Sequence, residues 1–583
     1  MKRKSFINLL FLFFCLIVPL SVAAQTKSVR GIVVDTSGEP LIGVNVLEVG
    51  TTNGTVTGFD GDFVLTVNEN AKLNITYVGF KPVELSVANK TDFKVTLETD
   101  TELLDEVVVV GYGVQKKETL TGSVAQIKSE DILTTKSTSL ASSLQGKVPG
   151  IQIRQQTAEP GSYNSLVSIR GFGSPLVVID GVARDGMSDF ERLSPDDVES
   201  ISVLKDASAA IYGMNADNGV IIVTTKKGKE GKTKFTYNGF FGIKSPTSMR
   251  ESVDAYTYRY MKNEMDRNTG VNPSFSDEEL AKWQAGTEPG YQDHDWLDLM
   301  LKNVTTQQQH SISASGGSEK MKYYISLGYM EDNGLLRSNI QQYKKYNARV
   351  NMTAQLTKNL TADFTFSGKY DNNTSPRIGY IWLFKPIITA DRGIGPTTLA
   401  NSEHYSNLPH SSNNPMAMMY EDVDGYQKWN NTQYQTTLSL TYDFPWVKGL
   451  QAKVLGAYDG NVNVSSVLQK GYYLYDYKTD APAVNPVLSN YSTTQTLYAR
   501  KDFQAQLNYN NSFGDHTVGA TMVWEAKKIN QDIISGKRQY DEIYTNDILD
   551  QGSLTNLTNS GKRVEEAFLS LLGRFNYDYK SKY

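Results

Sequence analysis

The sequence predicts a mainly β protein built from an N-terminal β-sandwich, a mixed α/β domain and part of a transmembrane antiparallel β-barrel. From about residue 233 onward, about ten segments of roughly ten residues alternate apolar with polar side chains, which is the length and period of membrane-barrel strands. The chain also holds 34 Tyr and 22 Phe, although only 39% of its residues are hydrophobic. Abundant tyrosine at low mean hydropathy is typical of β-sheets with one wet face.

Residues 1–24 are predicted to be an export signal. Residues 2–4 are basic, residues 6–20 form an apolar stretch, and residues 22–24 supply the small side chains of a cleavage site. An uncleaved anchor is the alternative, but this apolar run is shorter than the ~20 residues that a spanning helix needs. The mature chain then begins at Gln25 and holds no apolar run that long, so it is either a soluble exported β protein or a barrel.

Cysteine usage and charge exclude several functions. Cys15, the only cysteine, lies inside the signal, so the mature chain has neither a disulfide nor a cysteine metal site. The net charge is −5 even before the three basic signal residues are removed, which argues against a general nucleic-acid binder. The five His are scattered, and no hydrolase or phosphate-loop motif is present. No cofactor, metal or catalytic residue is predicted, and an unrecognised carboxylate pair for glycoside hydrolysis is a minor alternative.

Residues 25–100 are predicted to form the β-sandwich. Strands are expected over residues 29–34, 73–78 and 93–97. Asp60-Gly61 is a turn signal between residues 55–57 and 63–65, which predicts a hairpin there. Asp60 and Asp62 could suggest calcium, but a full twelve-residue ligand loop does not follow, and a plain turn is favoured.

Residues 101–120 form a linker with a valine-rich core. Four consecutive valines, Val107 to Val110, lie between a polar stretch and two glycines, Gly111 and Gly113. A β-prone segment between flexible flanks can be an unpaired strand that awaits a partner. The alternative is a buried strand of one of the neighbouring domains.

Residues 121–228 have the mixed pattern of an α/β domain. A short helix is predicted over residues 140–144, and strands over 151–154, 176–180, 201–204 and 220–225. Ser194-Pro195-Asp196-Asp197 resembles a helix start, with proline at the first position and carboxylates in the first turn.

Residues 229–583 carry the repeated alternation. The polar partners in these strands are often charged or amide residues, which suits a wet lumen better than the second face of a sandwich. Aromatic residues cluster near strand ends, at residues 442–446 and 575–579, where an interfacial girdle would lie. A soluble antiparallel array remains the alternative, and residues 371–430 are expected to form long outward-facing loops.

The order of these units and their motifs resembles the SusC/RagA family of TonB-linked outer-membrane proteins. Residues 31–46 look like the non-catalytic carboxypeptidase-regulatory-type domain of many members, and residues 104–113 are similar to the family's TonB-box region. Residues 169–182, 198–213 and 218–228 are close to the family's plug motifs. The positions carried over to the plug are Arg170, Gly171, Gly173, Asp180, Gly181, Lys205, Asp206, Tyr212, Gly213, Asn218 and Gly219.

Two departures from the family pattern stand out. Met214-Asn215-Ala216-Asp217 replaces the small and basic residues common after the Tyr-Gly of the plug, which puts the local plug contacts in doubt. Plugged transporters have barrels of 22 strands, whereas about ten are recognisable before Tyr583. The chain is therefore expected to be an N-terminal fragment whose sheet stays open.

The resemblance implies TonB-dependent import of oligosaccharides or peptides at the outer membrane, together with a SusD-like surface lipoprotein. The TonB-binding residues would be Asp105, Glu106, Val107, Val108, Val109, Val110, Gly111 and Tyr112. Outer-membrane lipid is an implied partner, nucleic acid is not, and no enzyme activity is expected. An exported adhesion protein and a signalling receptor are the alternatives.

Individual residues keep two interpretations each. Arg170 and Asp180 are either plug–barrel contacts that rearrange on loading or a static pair or exposed charges. Gly171, Gly173 and Gly181 are expected to be turn residues rather than binding residues. Residues 380–384 could stack on a sugar ring, but loop packing is favoured.

Overall fold

The computed structural model describes residues 26–77, 80–88, 90–98, 107–110, 113–116, 124–184, 186–409, 414–486, 488–540 and 546–580. The chain divides into two units after Val107.

The first unit is a two-sheet sandwich. In one sheet β1 (Thr26–Val34) lies between β4 (Asp62–Asn68), to which it is antiparallel, and β7 (Asp92–Thr96), to which it is parallel. The second sheet has the order β3 (Gly54–Val56), β2 (Asn45–Glu48), β5 (Lys72–Thr76), β6 (Val83–Ser86). Strand β4 alternates buried with exposed residues, as expected when one face of a sheet packs on a core. The buried residues of both sheets, such as Val29, Phe63 and Leu73, form one apolar cluster.

The predicted hairpin around Asp60-Gly61 is wrong. Strand β3 pairs with β2 in one sheet and β4 pairs with β1 in the other, so the turn joins the two sheets. Gly61 has φ +72°, and a Cβ there would lie 2.5 Å from the carbonyl oxygen of Val33. The turn signal predicts the reversal of the chain correctly, but it does not determine which strand becomes the partner.

Strands β8 (Val107–Val110) and β9 (Gly113–Lys116) form a small two-stranded sheet. The four valines of the linker are thus in strand conformation. Asp105, Glu106, Gly111 and Tyr112 lie outside the described residues.

The α/β domain, residues 124–225, is here called the plug. Its main sheet has the order β10 (Val124–Lys128), β15 (Val198–Leu204), β16 (Val220–Thr225), β13 (Leu176–Ile179), β14 (Val182–Arg184). A separate pair is formed by β11 (Ile151–Arg154) and β12 (Leu166–Ile169). The helices are α1 (Ser129–Leu133), α2 (Leu140–Ser143) and α3 (Met187–Glu191), with 3-10 turns at Pro195–Asp197 and Ala207–Ala216.

Apolar residues cover both faces of the plug sheet. Ile201, Ile221 and Val223 pack with α2 and α3 on one face, and Val178, Val220 and Ile222 pack under the turn at Ala207–Ala216 on the other. This explains why β16 has a nearly continuous apolar sequence. The helix predicted at Ser194-Pro195 ends after three residues, because β15 begins at Val198.

Ten long strands form one antiparallel sheet, here called the wall. In order across the sheet they are β17 (Gly231–Lys244), β18 (Thr305–Gly317), β19 (Met321–Asn333), β20 (Gln342–Thr357), β21 (Leu360–Ser375), β22 (Gly425–Asp443), β23 (Leu450–Gln469), β26 (Asn490–Phe513), β27 (His516–Gln539) and β28 (Leu557–Tyr579). The short β24 (Leu474–Tyr475) and β25 (Pro482–Val484) pair with each other between β23 and β26. Among the described residues no pairing joins β17 to β28, so the expectation of ten strands in an open sheet is confirmed.

The wall strands are longer than the predicted ten residues, and β26 and β27 have 24 residues each. Short turns join them at one end, for example residues 358–359 between β20 and β21, and long connections join them at the other. Beyond the alternating centre both faces of a strand become polar. The hydrophobic pattern therefore stops before the strand does.

The two faces of the wall differ in chemistry. On β22, Leu438 and Leu440 are exposed on the outer face. The alternate residues Gln435, Thr437 and Ser439 are buried on the inner face, where the plug lies. The wall is thus apolar outside and polar inside, the pattern of a membrane barrel rather than of a soluble sheet.

The connections at the long-loop end contain helices that the sequence pattern did not predict. Between β17 and β18 lie α4 (Ala255–Asn268), α5 (Asp277–Ala285) and α6 (Trp296–Met300), and α7 (Tyr380–Thr389) and α8 (Pro415–Met418) lie between β21 and β22. Residues 371–430 are therefore partly helical, and their Leu383 and Met418 pack in one apolar cluster with Trp296 of α6. Within the described ranges no helix has the length and apolar character needed to cross a membrane.

Candidate functional site

An acidic corner of the plug is seated on the first strands of the wall. The 3-10 turn Pro195–Asp197 presents two buried carboxylates. Asp196 accepts hydrogen bonds from Asn238 at 2.9 Å and Ser311 at 2.8 Å. Asp197 accepts hydrogen bonds from Ser326 at 2.5 Å and Tyr324 at 3.1 Å. The helix-start sequence thus positions carboxylates against wall hydroxyls, and hydrogen bonds to the ionised form offset the cost of burying it.

Arg349 on β20 joins this corner to the predicted plug residue Asp180. Its guanidinium lies 3.5 Å from Asp197 and 3.7 Å from Asp180, and the side chain is 3% exposed. Asp180 has φ +51° and also accepts hydrogen bonds from the backbone and the hydroxyl of Thr225. Asp180 therefore lies at a plug–wall contact, where it interacts with Arg349 of the wall and Thr225 of the plug.

Arg170 lies elsewhere. It has φ +54°, its side chain is exposed, and its backbone N–H donates to the carbonyl of Gly150 at 2.8 Å. Lys205 donates to the carbonyl of Pro149, and burial together with the nearby Arg170 lowers the pKa of Lys205. The structure does not bring Arg170 and Asp180 together, so the two are not a static ion pair.

The remaining plug-motif residues divide into turns and packing positions. Gly171, Gly181 and Gly213 have positive φ. Gly173 donates to the side chain of Asn218 at 3.2 Å, and a Cβ on Gly219 would lie 2.8 Å from Ile169. The side chain of Asp206 accepts from the N–H of Ser208 and starts the turn over residues 207–216.

Tyr212 and Gly213 are motif residues that lie beside the last wall strand, β28. Tyr212 is buried, and burial raises the pKa of its hydroxyl, while Arg574 on β28 opposes that change. A Cβ on the neighbouring Gly213 would lie 4.0 Å from Leu572 of the same strand. The plug therefore contacts the wall near both of its open edges.

A second corner of the plug is seated on β22 and β23. Arg184 forms an ion pair with Asp459, and Asp189 accepts hydrogen bonds from Gln433 at 2.5 Å and Gln435 at 3.4 Å. Val182 packs against Leu455 and Ala457 of the wall. Polar and apolar contacts together fix this corner.

The third contact is a loop of the plug near the long-loop end. Tyr163 donates a hydrogen bond to the hydroxyl of Tyr343 at 2.9 Å, and the carbonyl of Pro160 accepts from Asn373 at 3.1 Å. Gly161 has φ +72° and lies directly against the ring of Tyr343. Only a glycine fits between this loop and the wall.

The sequence pattern missed the wall partners of the plug. Arg349, Asp459 and Gln433 are inward positions of alternating strands, and the pattern identified only that such positions are often charged or amide. Which of them meet the plug depends on the strand register, which alternation does not determine. The described part of the chain holds no group of three or more His, Cys, Asp or Glu residues placed to bind a metal.

The segment at residues 380–384 begins helix α7. Leu383 is buried in the loop layer, and the rings of Tyr380 and Phe384 stack at 4.5 Å. Trp382 is 64% exposed. One face of the segment thus packs in the loop layer, and a sugar contact at Trp382 stays a prediction.

Two family models match the chain. The TonB-dependent Receptor Plug Domain matches residues 116–220, and the CarboxypepD_reg-like domain matches residues 29–109. Among curated proteins, the TonB-dependent receptor SusC of Bacteroides thetaiotaomicron is 32% identical over 79% of this chain and 47% of its own length. TonB-dependent receptor P3 of Formosa agariphila is 28% identical over 100% of this chain and 56% of its own length.

The RagAB peptide importer in its open-open state is a structural neighbour. It has a TM-score of 0.67 at 23% identity and covers 82% of this chain and 55% of its own chain. At that identity the likeness concerns the fold alone. The chain spans about half the length of the curated relatives it matches.

Proposed function

The chain belongs to the SusC/RagA family of TonB-dependent receptors and is an outer-membrane protein, and we propose on that basis that it is part of an importer for oligosaccharides or peptides. Its relatives are receptors and transporters rather than enzymes. The observation that carries the proposal is the plug, which three sets of contacts hold against the polar inner face of the wall. A solute can pass only where those contacts give way.

The plug contacts need an external source of energy to open. The Arg349 and Arg184 pairs are buried, and separating buried partners costs several kcal/mol. The outer membrane holds no nucleotide supply, so the work must come from a protein partner across the periplasm. We assign that role to TonB, bound at residues 105–112.

Strand addition explains why this segment suits the task. The valines of β8 are in strand conformation, and their pairing with the four-residue β9 is short enough to be exchanged for a partner's strand. Main-chain hydrogen bonds between strands give affinity without requiring a deep pocket. The linker would thus transmit a pull to the plug.

A SusD-like surface lipoprotein is the second proposed partner. The long connections of the wall hold helices α4 to α8, which form a packed layer rather than loose loops. Long loops of barrel proteins face outward, so this layer would meet a surface partner. Co-purification of a lipoprotein from the native outer membrane checks this assignment, and purification without any lipoprotein contradicts it.

Val108→Pro tests the coupling. Proline removes a main-chain donor and is excluded from paired central strands, so uptake should be lost while protein amount and surface exposure stay unchanged. Val108→Thr is the matched control, because threonine keeps the N–H and the β-branch, and it should import normally. Normal uptake by the proline variant would show that the segment is not the TonB-binding site.

A further inference from the structure

Three successive rows of inner-face side chains on four neighbouring wall strands carry no charge. The field starts at the row formed by Gln433, Asn461, Tyr498 and Gln531, which are paired across β22, β23, β26 and β27. Strand alternation places all four on the inner face, as does the contact of Gln433 with the plug. Every side chain in this row is polar and neutral.

The next row toward the long-loop end is Asn431, Asn463, Thr496 and Ile533. The amide of Asn431 donates to Asp371 at the border of the field at 2.9 Å. The other three side chains are half-buried. This row too is free of charge.

The third row is Trp429, Ser465, Thr494 and Ser535. The hydroxyls of Thr494 and Ser535 are hydrogen-bonded to each other at 2.8 Å. Trp429 is half-buried. Its neighbour Asn430 is hydrogen-bonded to Asn372 and Tyr370 on the outer face, and because successive residues of a strand point to opposite faces, Trp429 lies on the inner face. We call these three rows the neutral field.

Charge returns on every side of the neutral field. The row below it contains Asp459 and Arg500, and strand β21 beside it contributes Lys369 and Asp371. On the other two sides lie Lys562 of β28, which is paired with Ile533, and Lys537 of β27, two residues beyond Ser535.

On β22 and β23 the plug reaches Asp459 through Arg184 and Gln433 through Asp189. The change from charged to neutral side chains therefore lies at the edge of these plug contacts. Asp459 and Asp371 thus pair with arginines of the plug, and the neutral rows beside them have a different task.

We infer that the neutral field is a binding surface for uncharged oligosaccharides, a refinement that rests on the proposed import function. A sugar hydroxyl both donates and accepts, and a carboxamide or hydroxyl side chain can do the same. The carboxamide oxygen of Asn461 is buried and finds no hydrogen-bond partner among the described residues. A rotation of the Asn461 side chain would bring this acceptor to the surface, where a ligand hydroxyl would satisfy it.

Aromatic side chains add the second element of sugar recognition. Trp429 and Tyr498 lie two rows and two strands apart on the same face. Ring faces carry partial negative charge, so they attract the polarised C–H groups of a pyranose. Binding sites for small molecules combine such apolar surfaces with a few placed polar groups.

The same surface disfavours the two other classes of solute. A peptide brings charged termini and side chains, and an acidic glycan brings carboxylates. Placed on a neutral, partly buried wall, those charges lose water without gaining an opposite charge. Arginine and lysine are the usual partners of such carboxylates, and none lies within the three rows; the nearest lysines, Lys369, Lys537 and Lys562, stand at the border of the field.

The test uses the full chain purified in detergent and three pools of ligand. The pools are neutral oligosaccharides from gluco-, manno- and xylo-polysaccharides, oligogalacturonides, and a tryptic peptide digest. Mass spectrometry of the retained material should show enrichment of the neutral pool. Retention of only the acidic or peptide pool, or of no pool, overturns the inference.

A matched pair of variants locates the binding surface. Asn463→Asp places one charge in the neutral field and should weaken retention of neutral oligosaccharides about tenfold, the order expected for a carboxylate forced against an uncharged ligand. Asn430→Asp makes the same change on the outer face of β22 and should have no effect. Trp429→Ala should weaken retention as well. Equal retention by all variants overturns the inference.

Binding in detergent does not depend on TonB. Val108→Pro should therefore retain neutral oligosaccharides like the unmodified chain. If that variant imports normally while the pools divide as expected, the energy coupling is wrong and the neutral field stands. If import depends on Val108 but the neutral pool is not retained, the energy coupling stands and the neutral field is wrong.

Discussion

Arg184 of the plug and Asp459 of the wall form an ion pair in which the two side chains are only 5% and 8% exposed. Arg500 lies directly opposite Asp459 on strand β26 and pairs with Asp502 at 2.7 Å. Burial, followed by the nearby Arg500, lowers the pKa of Arg184 to about 10, so its guanidinium is still charged at neutral pH. Two cations and two anions thus balance inside the plug–wall interface.

Removing one partner of this pair should be worse than removing both. Arg184→Gln leaves Asp459 buried without its partner, and Asp459→Asn does the same to Arg184, each at a cost of about 3–5 kcal/mol. The double variant should recover most of that loss. Urea midpoints of plug release, arranged as a double-mutant cycle, measure the coupling. Additive losses would mean that the pair does not hold the plug.

Gly161→Ala should unseat the plug loop that carries Tyr163. A Cβ there would lie 2.2 Å from the ring of Tyr343, so overpacking of about 1–3 kcal/mol adds to the strain of a positive φ. Gly146→Ala is the control, because φ is +76° and nothing lies within 4 Å of the new Cβ. Limited proteolysis should cut the loop faster only in the Gly161 variant. Equal cleavage in both variants would show that the strain of the positive φ, and not the contact with Tyr343, destabilises the loop.

Leu440→Arg should destabilise the wall in the membrane by about 2–4 kcal/mol, because Leu440 lies on the outer, lipid-facing side. Ser439 is a poor inward control since it is 4% exposed and an arginine there would overpack. Thr496→Arg on the half-buried inner face is the better comparison and should be tolerated. Heat-modified migration and urea midpoints measure the stability of both variants. Equal losses at the two positions would contradict the assignment of faces.

Acidification should loosen the loop layer around His294. Its ring lies 3.3 Å from the hydroxyl of Tyr477, and burial lowers the pKa of His294, with Asp293 opposing. Because the folded pKa is below the unfolded value of about 6.5, the neutral ring stabilises the fold at pH 7, and that contribution is lost as pH falls through the depressed folded pKa. Hydrogen exchange over residues 474–486, expressed relative to the intrinsic amide exchange rate at each pH, should rise between pH 7 and pH 5. His294→Gln should flatten that rise, and an unchanged pH profile would exclude His294 as its cause.

The strands were predictable wherever one face is apolar. All ten wall strands follow from alternation, because lipid on one side and water or plug on the other impose a period of two. The ends of β26 were not predictable, since residues such as Thr493 and Thr494 are polar on both faces. Helices α4 and α5 were missed although Asp254 and Ser276 cap them by accepting from backbone N–H groups. Those caps are visible in the sequence and are the signal that would have found them.

The candidate site was only half predictable. The plug motifs contain Asp180 and Tyr212, which do lie near the wall, and they also contain Arg170, which is exposed. Asp196 and Asp197 were recognised only as a helix start, although they accept hydrogen bonds from three wall strands. A contact between residues more than a hundred positions apart depends on register and on how two domains fit. The local sequence pattern determines neither the strand register nor the fit of the two domains.

The placement of β1 in the sandwich bears on the order of folding. This strand is the middle one of its sheet, and its parallel neighbour β7 joins residues 62 positions apart, as in the Arg30–Asp92 pair. A chain exported from its N-terminus delivers β1 first, yet the sheet cannot close until residues 92–96 have crossed. Contacts this distant form slowly. β4 can cover one edge of β1 once residues 62–68 have crossed, but the edge that pairs with β7 stays unsatisfied until residues 92–96 follow. The interval between the arrival of β1 and that of β7 is therefore the period when a periplasmic chaperone would be needed.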